Sequence, residues 1–143
     1  MDAEVFDTRS PAGTKALGRR LAGRLGAGDC VGLIGPLGAG KTVLVRGIAI
    51  GLGLDDERLV ASPTFVLERE YPGRVTIHHL DLYRMADPSA ELAELGMGEM
   101  LADGVVLIEW ADRAGDTLPR PRWRLDIEIT GERSRRFALR RIP

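Results

Sequence analysis

The sequence predicts an α/β fold, with a central, mostly parallel sheet flanked by helices and with antiparallel strands or hairpins at its margins. Three observations predict it. The apolar run Cys30 to Ile34 reads as a buried strand, and a glycine-rich loop from Gly35 to Gly40 follows it at once. Val43, Leu44, Val45, Ile48, Ala49 and Leu52 then fall at helical spacing. A second continuous run, Val105-Val106-Leu107-Ile108, has the pattern of a strand covered on both faces, as in a parallel sheet.

Each element has its own signal. Ser10-Pro11 starts a helix, with Ser as N-cap and Pro in the first turn. Leu17, Leu21 and Leu25 line one face of that helix, and Gly26 and Gly28 close it. The helix after the glycine-rich loop ends near Gly53, and Asp55 to Arg58 reads as a loop. Ser62-Pro63-Thr64-Phe65 leads into a hairpin: Val66 to Tyr71, the turn Pro72-Gly73, then Arg74 to Leu80. Asp87-Pro88 starts another helix with Leu92 and Leu95 on its buried face, and Gly96 and Gly98 break it before a further short turn at Met100-Leu101. Past the Pro-rich stretch Leu118 to Pro121, Trp123, Leu125, Ile127 and Ile129 alternate with polar residues, the period of a strand with one wet face. Gly131-Glu132 turns the chain, and Phe137 and Leu139 continue the apolar face on a return strand.

At 143 residues, with 44% hydrophobic and 29% charged, the chain is expected to be one globular domain over residues 1–143. No apolar run reaches membrane-spanning length, and Met1-Asp2-Ala3-Glu4 lacks the start of a secretory signal. The single cysteine, Cys30, falls in a predicted strand and reads as a core residue. A cytoplasmic location is expected. A net charge of −1 gives no global attraction to nucleic acid.

The loop carries the chemistry. Gly35-Pro36-Leu37-Gly38-Ala39-Gly40-Lys41-Thr42 matches G-x-x-x-x-G-K-[ST], the phosphate-binding P-loop, and strand, loop and helix stand in the confirming order. Its glycines let successive N–H groups turn around an anion, and the following helix, with Val43 in its first turn, adds N–H donors and the positive end of its dipole. Lys41 is expected to reach the β- and γ-phosphates, and the Thr42 hydroxyl to bind Mg²⁺. Nucleotide hydrolysis at such a loop also needs a strand-end carboxylate for the metal and a group that orients water. Asp81 and Glu109 both qualify, with roles that can be exchanged. Thr64 offers a hydroxyl where switch segments reach the γ-phosphate and metal. Trp110 is a candidate to flank the nucleotide and Arg84 a candidate charge-stabilising arginine. His78 and His79 have no metal-site spacing and read as structural.

The chain contains no Asn and no Gln, so it has no Asn-Lys-x-Asp guanine-reading motif and no amide to position water. ATP is therefore the expected nucleotide. Two other function classes share the loop. A small-molecule kinase would need an arginine-bearing lid, for which Arg113, Arg120 and Arg122 are candidates. A nucleotide-sensing module would bind without physiological turnover.

Leu37 to Thr42 with Arg46-Gly47, Ser62 to Phe65, His79-Leu80-Asp81-Leu82-Tyr83-Arg84 and Glu109-Trp110 stand together in an order and spacing that resemble the TsaE (YjeE) family of bacterial P-loop ATPases. The resemblance covers nearly the whole chain. One position departs: Pro36 follows Gly35 where the family usually carries an acidic residue. The resemblance implies ATP hydrolysis supporting the threonylcarbamoyl modification of tRNA adenosine beside the anticodon. It implies TsaD and TsaB as partners and tRNA as an indirect one. By the same resemblance Lys41 and Thr42 bind phosphate and Mg²⁺, Thr64, Asp81 and Glu109 serve the metal and water, and Trp110 lies near them.

Overall fold

A computed structural model gives the structure of the protein over residues 3–61 and 68–143. The Ser62-Pro63-Thr64-Phe65 segment, and with it the expected metal ligand Thr64, lies outside the described residues. So does the start of the predicted hairpin at Val66.

The predicted elements form where their signals stand. Helix α1 is Pro11–Ala22, and the Ser10 side chain accepts from the Gly13 N–H as an N-cap does. Strand β2 is Cys30–Ile34 and helix α2 is Lys41–Gly51. The hairpin is β3, Glu68–Pro72, with β4, Thr76–Asp81. Helix α3, Pro88–Leu95, is capped by Asp87 and ends at Gly96 with φ +77°. Strands β5, Gly104–Glu109, β6, Arg122–Ile129, and β7, Arg135–Ile142, complete the predicted set.

Some elements differ from expectation. Helix α1 stops at Ala22 with Gly23 as its C-cap, short of Leu25 and of the Gly26 expected to close it. Glu4–Thr8 forms an edge strand, β1, that the sequence pattern did not show. Val5 is 57% exposed there, so the strand carries little of the alternation that burial imposes. The turn expected near Met100 is a helix, α4, Met97–Asp103, because Gly96 in the left-handed region ends one helix and starts the next.

The strands form one sheet in the order β1-β7-β6-β2-β5-β4-β3. β6, β2, β5 and β4 run parallel, while β1–β7, β7–β6 and β3–β4 are antiparallel. Helices cover both faces. On one, α1 and α2 pack Leu17, Leu44, Ile48 and Leu52 onto Leu33, Leu107, Leu125 and Phe137. On the other, α3 and α4 pack Leu92 and Met100 against Cys30, Leu80, Val106 and Ile108. Cys30 is fully buried, and burial pushes its thiol up to about 12, so it is the core residue its strand predicted.

Packing fixes the helix that follows the loop. Leu44, Val45, Ile48, Ala49 and Leu52 are closed to solvent, and full burial of each large aliphatic contributes about 1.5–3 kcal/mol. The α1–α2 approach is closer still. A Cβ on Gly47 would stand 2.2 Å from the Lys15 carbonyl oxygen, and one on Gly18 would stand 2.5 Å from that of Leu44. Only glycine lets these two backbones meet.

Candidate functional site

The parallel strands β2, β5 and β4 end at one edge of the sheet, where ligands of open α/β sheets bind. β2 runs directly into the loop at Gly35. Register places Leu33 beside Glu109, and Glu109 beside Asp81. The two candidate carboxylates thus sit side by side at the ends of adjacent strands, next to the loop. Both are buried, Glu109 at 3% and Asp81 at 6% exposure. A cavity of about 630 Å³ opens here, lined by residues 37–43, Asp81, Tyr83, Arg84, Glu109 and Trp110. Pro11 and Thr14 of α1 and the β6–β7 turn close its far side.

The loop has the backbone its glycines predict at two places. Gly38 has φ +77°, and Gly40, the residue before α2, has φ +91°. A side chain would strain both. Gly35 is held tight for a different reason, since a Cβ there would stand 3.0 Å from the Ile127 carbonyl oxygen.

Lys41 is only 5% exposed. Its Nζ donates to the carbonyls of Gly35 at 2.5 Å and Pro36 at 2.9 Å, folding over the mouth of the loop. The Trp110 ring lies beneath it, 3.9 Å from Nζ to centroid. Burial pulls the ammonium below its ordinary value, while Glu109, Asp81 and Asp112 oppose that shift.

Thr42 Oγ1 stands 3.4 Å from both oxygens of Glu109, a long contact. Asp81 Oδ1 accepts from the Tyr83 N–H at 2.8 Å, which ties the carboxylate to the turn after β4. Arg113 braces that turn from outside by donating to the carbonyls of Leu82 and Tyr83, each at 2.6 Å. A hydroxyl at the start of α2 with two strand-end carboxylates beside it is the donor set that suits Mg²⁺ bound partly through water.

Trp110 departs from ordinary backbone, with φ +60° and ψ +39° in a residue that is not glycine. Such a conformation costs on the order of 1–3 kcal/mol and persists only where its surroundings impose it. Here it turns the chain sharply at the end of β5 and puts the indole between Lys41 and Tyr83, whose ring centroid is 4.9 Å away.

The structure brings two further side chains to the site. His79, read as structural, is completely buried with Nε2 2.5 Å from Glu109 Oε2. Its Nδ1 lies 2.9 Å from the Tyr71 hydroxyl, which also reaches the Ala61 carbonyl at 3.2 Å. Burial pushes the Tyr71 hydroxyl up, so it stays a proton donor. The sequence did hold a clue, because His79 and Asp81 are two apart in a strand and share a face. His78 points the opposite way and bonds Glu68 and Asp103 far from the loop. Arg135, on β7, donates to two carbonyls of the loop, and nothing in the sequence singled it out among eighteen arginines.

The three arginines considered for a kinase lid do not gather at the cavity. Arg113 braces the β4 turn, Arg120 pairs with Asp116 on the surface, and Arg122 is buried at the start of β6. Arg84 does line the cavity. Among the described residues, no helix is long and apolar enough to cross a membrane.

Known proteins resemble this chain over most of its length. Residues 8–137 match the family model for TsaE, described as threonylcarbamoyl adenosine biosynthesis protein TsaE. The chain is 40% identical over 130 residues to the tRNA threonylcarbamoyladenosine biosynthesis protein TsaE of Bacillus subtilis, spanning 90% of this chain and 79% of that one. It is 35% identical over 133 residues to the protein of that name from Treponema pallidum, spanning 92% and 96%. The crystal structure of Bacillus subtilis YdiB superposes with a TM-score of 0.82 at 31% identity, covering 99% of this chain and 86% of that one.

Proposed function

The chain belongs to the TsaE family, and on that premise we propose that it is a Mg²⁺-dependent ATPase supporting threonylcarbamoyl modification of tRNA adenosine in the cytoplasm. TsaD and TsaB are its proposed partners, and tRNA is reached through them. The observation that carries the ATPase reading is the convergence of Lys41, Thr42, Asp81 and Glu109 on one cavity at the carboxyl ends of parallel strands.

Each residue then has a task. The N–H groups of Gly38 and of residues 40–43 receive the phosphate oxygens, and Lys41 gives up its two loop carbonyls to pair with them. Thr42 supplies the hydroxyl ligand for Mg²⁺, which when bound offsets charge between the β- and γ-phosphates. Asp81 and Glu109 hold water, one at the metal and one for attack. Thr64 is proposed as a further hydroxyl at the metal. Trp110 walls the site beside Lys41, and Pro36 and Leu37 form the loop's outer rim.

Carboxylates are poor water-positioning groups, because their charge opposes the charge gathering on the γ-phosphoryl oxygens. The chain has no Asn or Gln to use instead. Slow turnover alone and activation in the complex follow. An arginine at the reacting phosphoryl, Arg84 or one from a partner, can contribute about 10³–10⁵ in rate. The test is steady-state phosphate release by the purified protein, with and without TsaB, TsaD and tRNA, at fixed Mg²⁺ and salt. Slow release that rises with the partners is expected. Release at several per second alone, unchanged by partners, overturns the reading, and transfer of phosphate to a metabolite would favour a kinase.

A further inference from the structure

We propose that Arg135 is a nucleotide-affinity residue: its guanidinium presets the P-loop peptide planes from outside the loop and leaves a positive charge beside the phosphate cradle. The proposal rests on reading the cavity as the nucleotide site.

Arg135 is the first residue of β7, 96 positions from the loop it touches. Nε donates to the Ala39 carbonyl at 3.1 Å and Nη2 to that of Gly38 at 2.8 Å. Nη1 donates to the carbonyls of Ser134 at 2.7 Å and Gly131 at 3.0 Å. One rigid fork therefore joins the β6–β7 turn, whose Glu132 and Arg133 line the cavity, to the loop beside it.

The loop needs this restraint. A Cβ on Gly38 would meet nothing within 4 Å, one on Gly40 would touch only Thr14 Cγ2 at 4.0 Å, and Leu37 is 69% exposed. Ala39, 1% exposed, is anchored in the core, but packing does not set the peptide planes of Gly38 and Gly40 on either side of it. In a trans peptide the C=O and the following N–H point in opposite directions. Fixing the Ala39 oxygen on Arg135 therefore turns the Gly40 N–H away from β7. Fixing the Gly38 oxygen does the same for the Ala39 N–H, which closes the turn by donating to Pro36 at 3.1 Å. The left-handed conformation of Gly40 that precedes α2 is set in part from outside the loop.

The charge matters separately. Arg124 and Arg136 are neutralised by Asp126 and Asp7. Every acceptor of Arg135 is a main-chain carbonyl, and among the described residues no carboxylate pairs with it. Carbonyl dipoles solvate a guanidinium without cancelling its charge, so the field remains for a polyanion.

The experiment is ADP affinity, which needs no hydrolysis, measured for wild type, Arg135→Lys, Arg135→Gln and the control Arg136→Gln over a range of salt. Both Arg135 variants are expected to bind about 10-fold or more weakly, since neither an ammonium nor an amide can span both elements. Arg135→Lys keeps the salt dependence, Arg135→Gln flattens it, and Arg136→Gln binds as wild type. Wild-type affinity in either Arg135 variant overturns the proposal while leaving the nucleotide site standing. Global unfolding of both variants also overturns it, assigning Arg135 to the fold instead. Failure of the wild type to bind ADP overturns the nucleotide reading itself.

Discussion

His79 Nε2 lies 2.5 Å from Glu109 Oε2, a contact between two side chains that are both closed to solvent. A carboxylate accepts, so Nε2 carries the hydrogen. The bond commits one oxygen of Glu109 and fixes the plane of the carboxylate, with Thr42 Oγ1 3.4 Å from both oxygens.

The first prediction tests that bond atom by atom. His79→Gln retains a donor near the place of Nε2, whereas His79→Asn retains one only near Nδ1. Phosphate release is expected to fall about 10–100-fold in His79→Asn, as it does when a group orienting a metal-site ligand is lost. It should recover largely in His79→Gln, with ADP affinity unchanged in both. Equal losses in the two variants would assign His79 to packing.

Lys41→Ala is expected to abolish productive ATP binding and leave the fold standing. Although Lys41 is buried, its contacts are two loop carbonyls and the Trp110 face rather than the apolar core. Nucleotide titration and the unfolding temperature together check this. Retained binding in the folded variant removes the P-loop assignment.

Asp81 and Glu109 are neighbours in register, so their effects should not add. Each change to Ala is expected to reduce hydrolysis strongly, and the double variant to lose far less than the product of the two. Fully multiplicative losses in phosphate release would show separate roles.

His78 supplies a pH dependence remote from the loop. Burial lowers its imidazolium, but the hydrogen bonds it donates to Glu68 and Asp103 outweigh that and raise it above its ordinary value. A raised folded-state value stabilises the fold fully below about pH 6.5, and the gain is lost as pH rises through the folded value. His78→Gln should therefore lower the unfolding temperature most near pH 5.5 and least near pH 9. A difference that grows with pH contradicts the assignment.

Most of the fold, and the residues that line the cavity at the loop, were legible in the linear chain. The loop, its strand and helix, the Ser10 and Asp87 caps and the fully apolar β5 were legible because each is a local pattern. Membership of the TsaE family followed from motifs in order. Period two along Ile77 to Asp81 also determined that His78 and His79 face opposite sides of the sheet. It did not say what stands on either side. Tertiary structure decided that β5 lies beside β4, which gives His79 the Glu109 carboxylate and leaves His78 to Glu68 and Asp103. It decided likewise that β7 returns its first residue to the loop, turning one arginine among eighteen into the brace for Gly38 and Ala39. The physical reason is the same in both cases. Local backbone chemistry sets the direction of a side chain, while its partner comes from strand order, a property of the whole sheet.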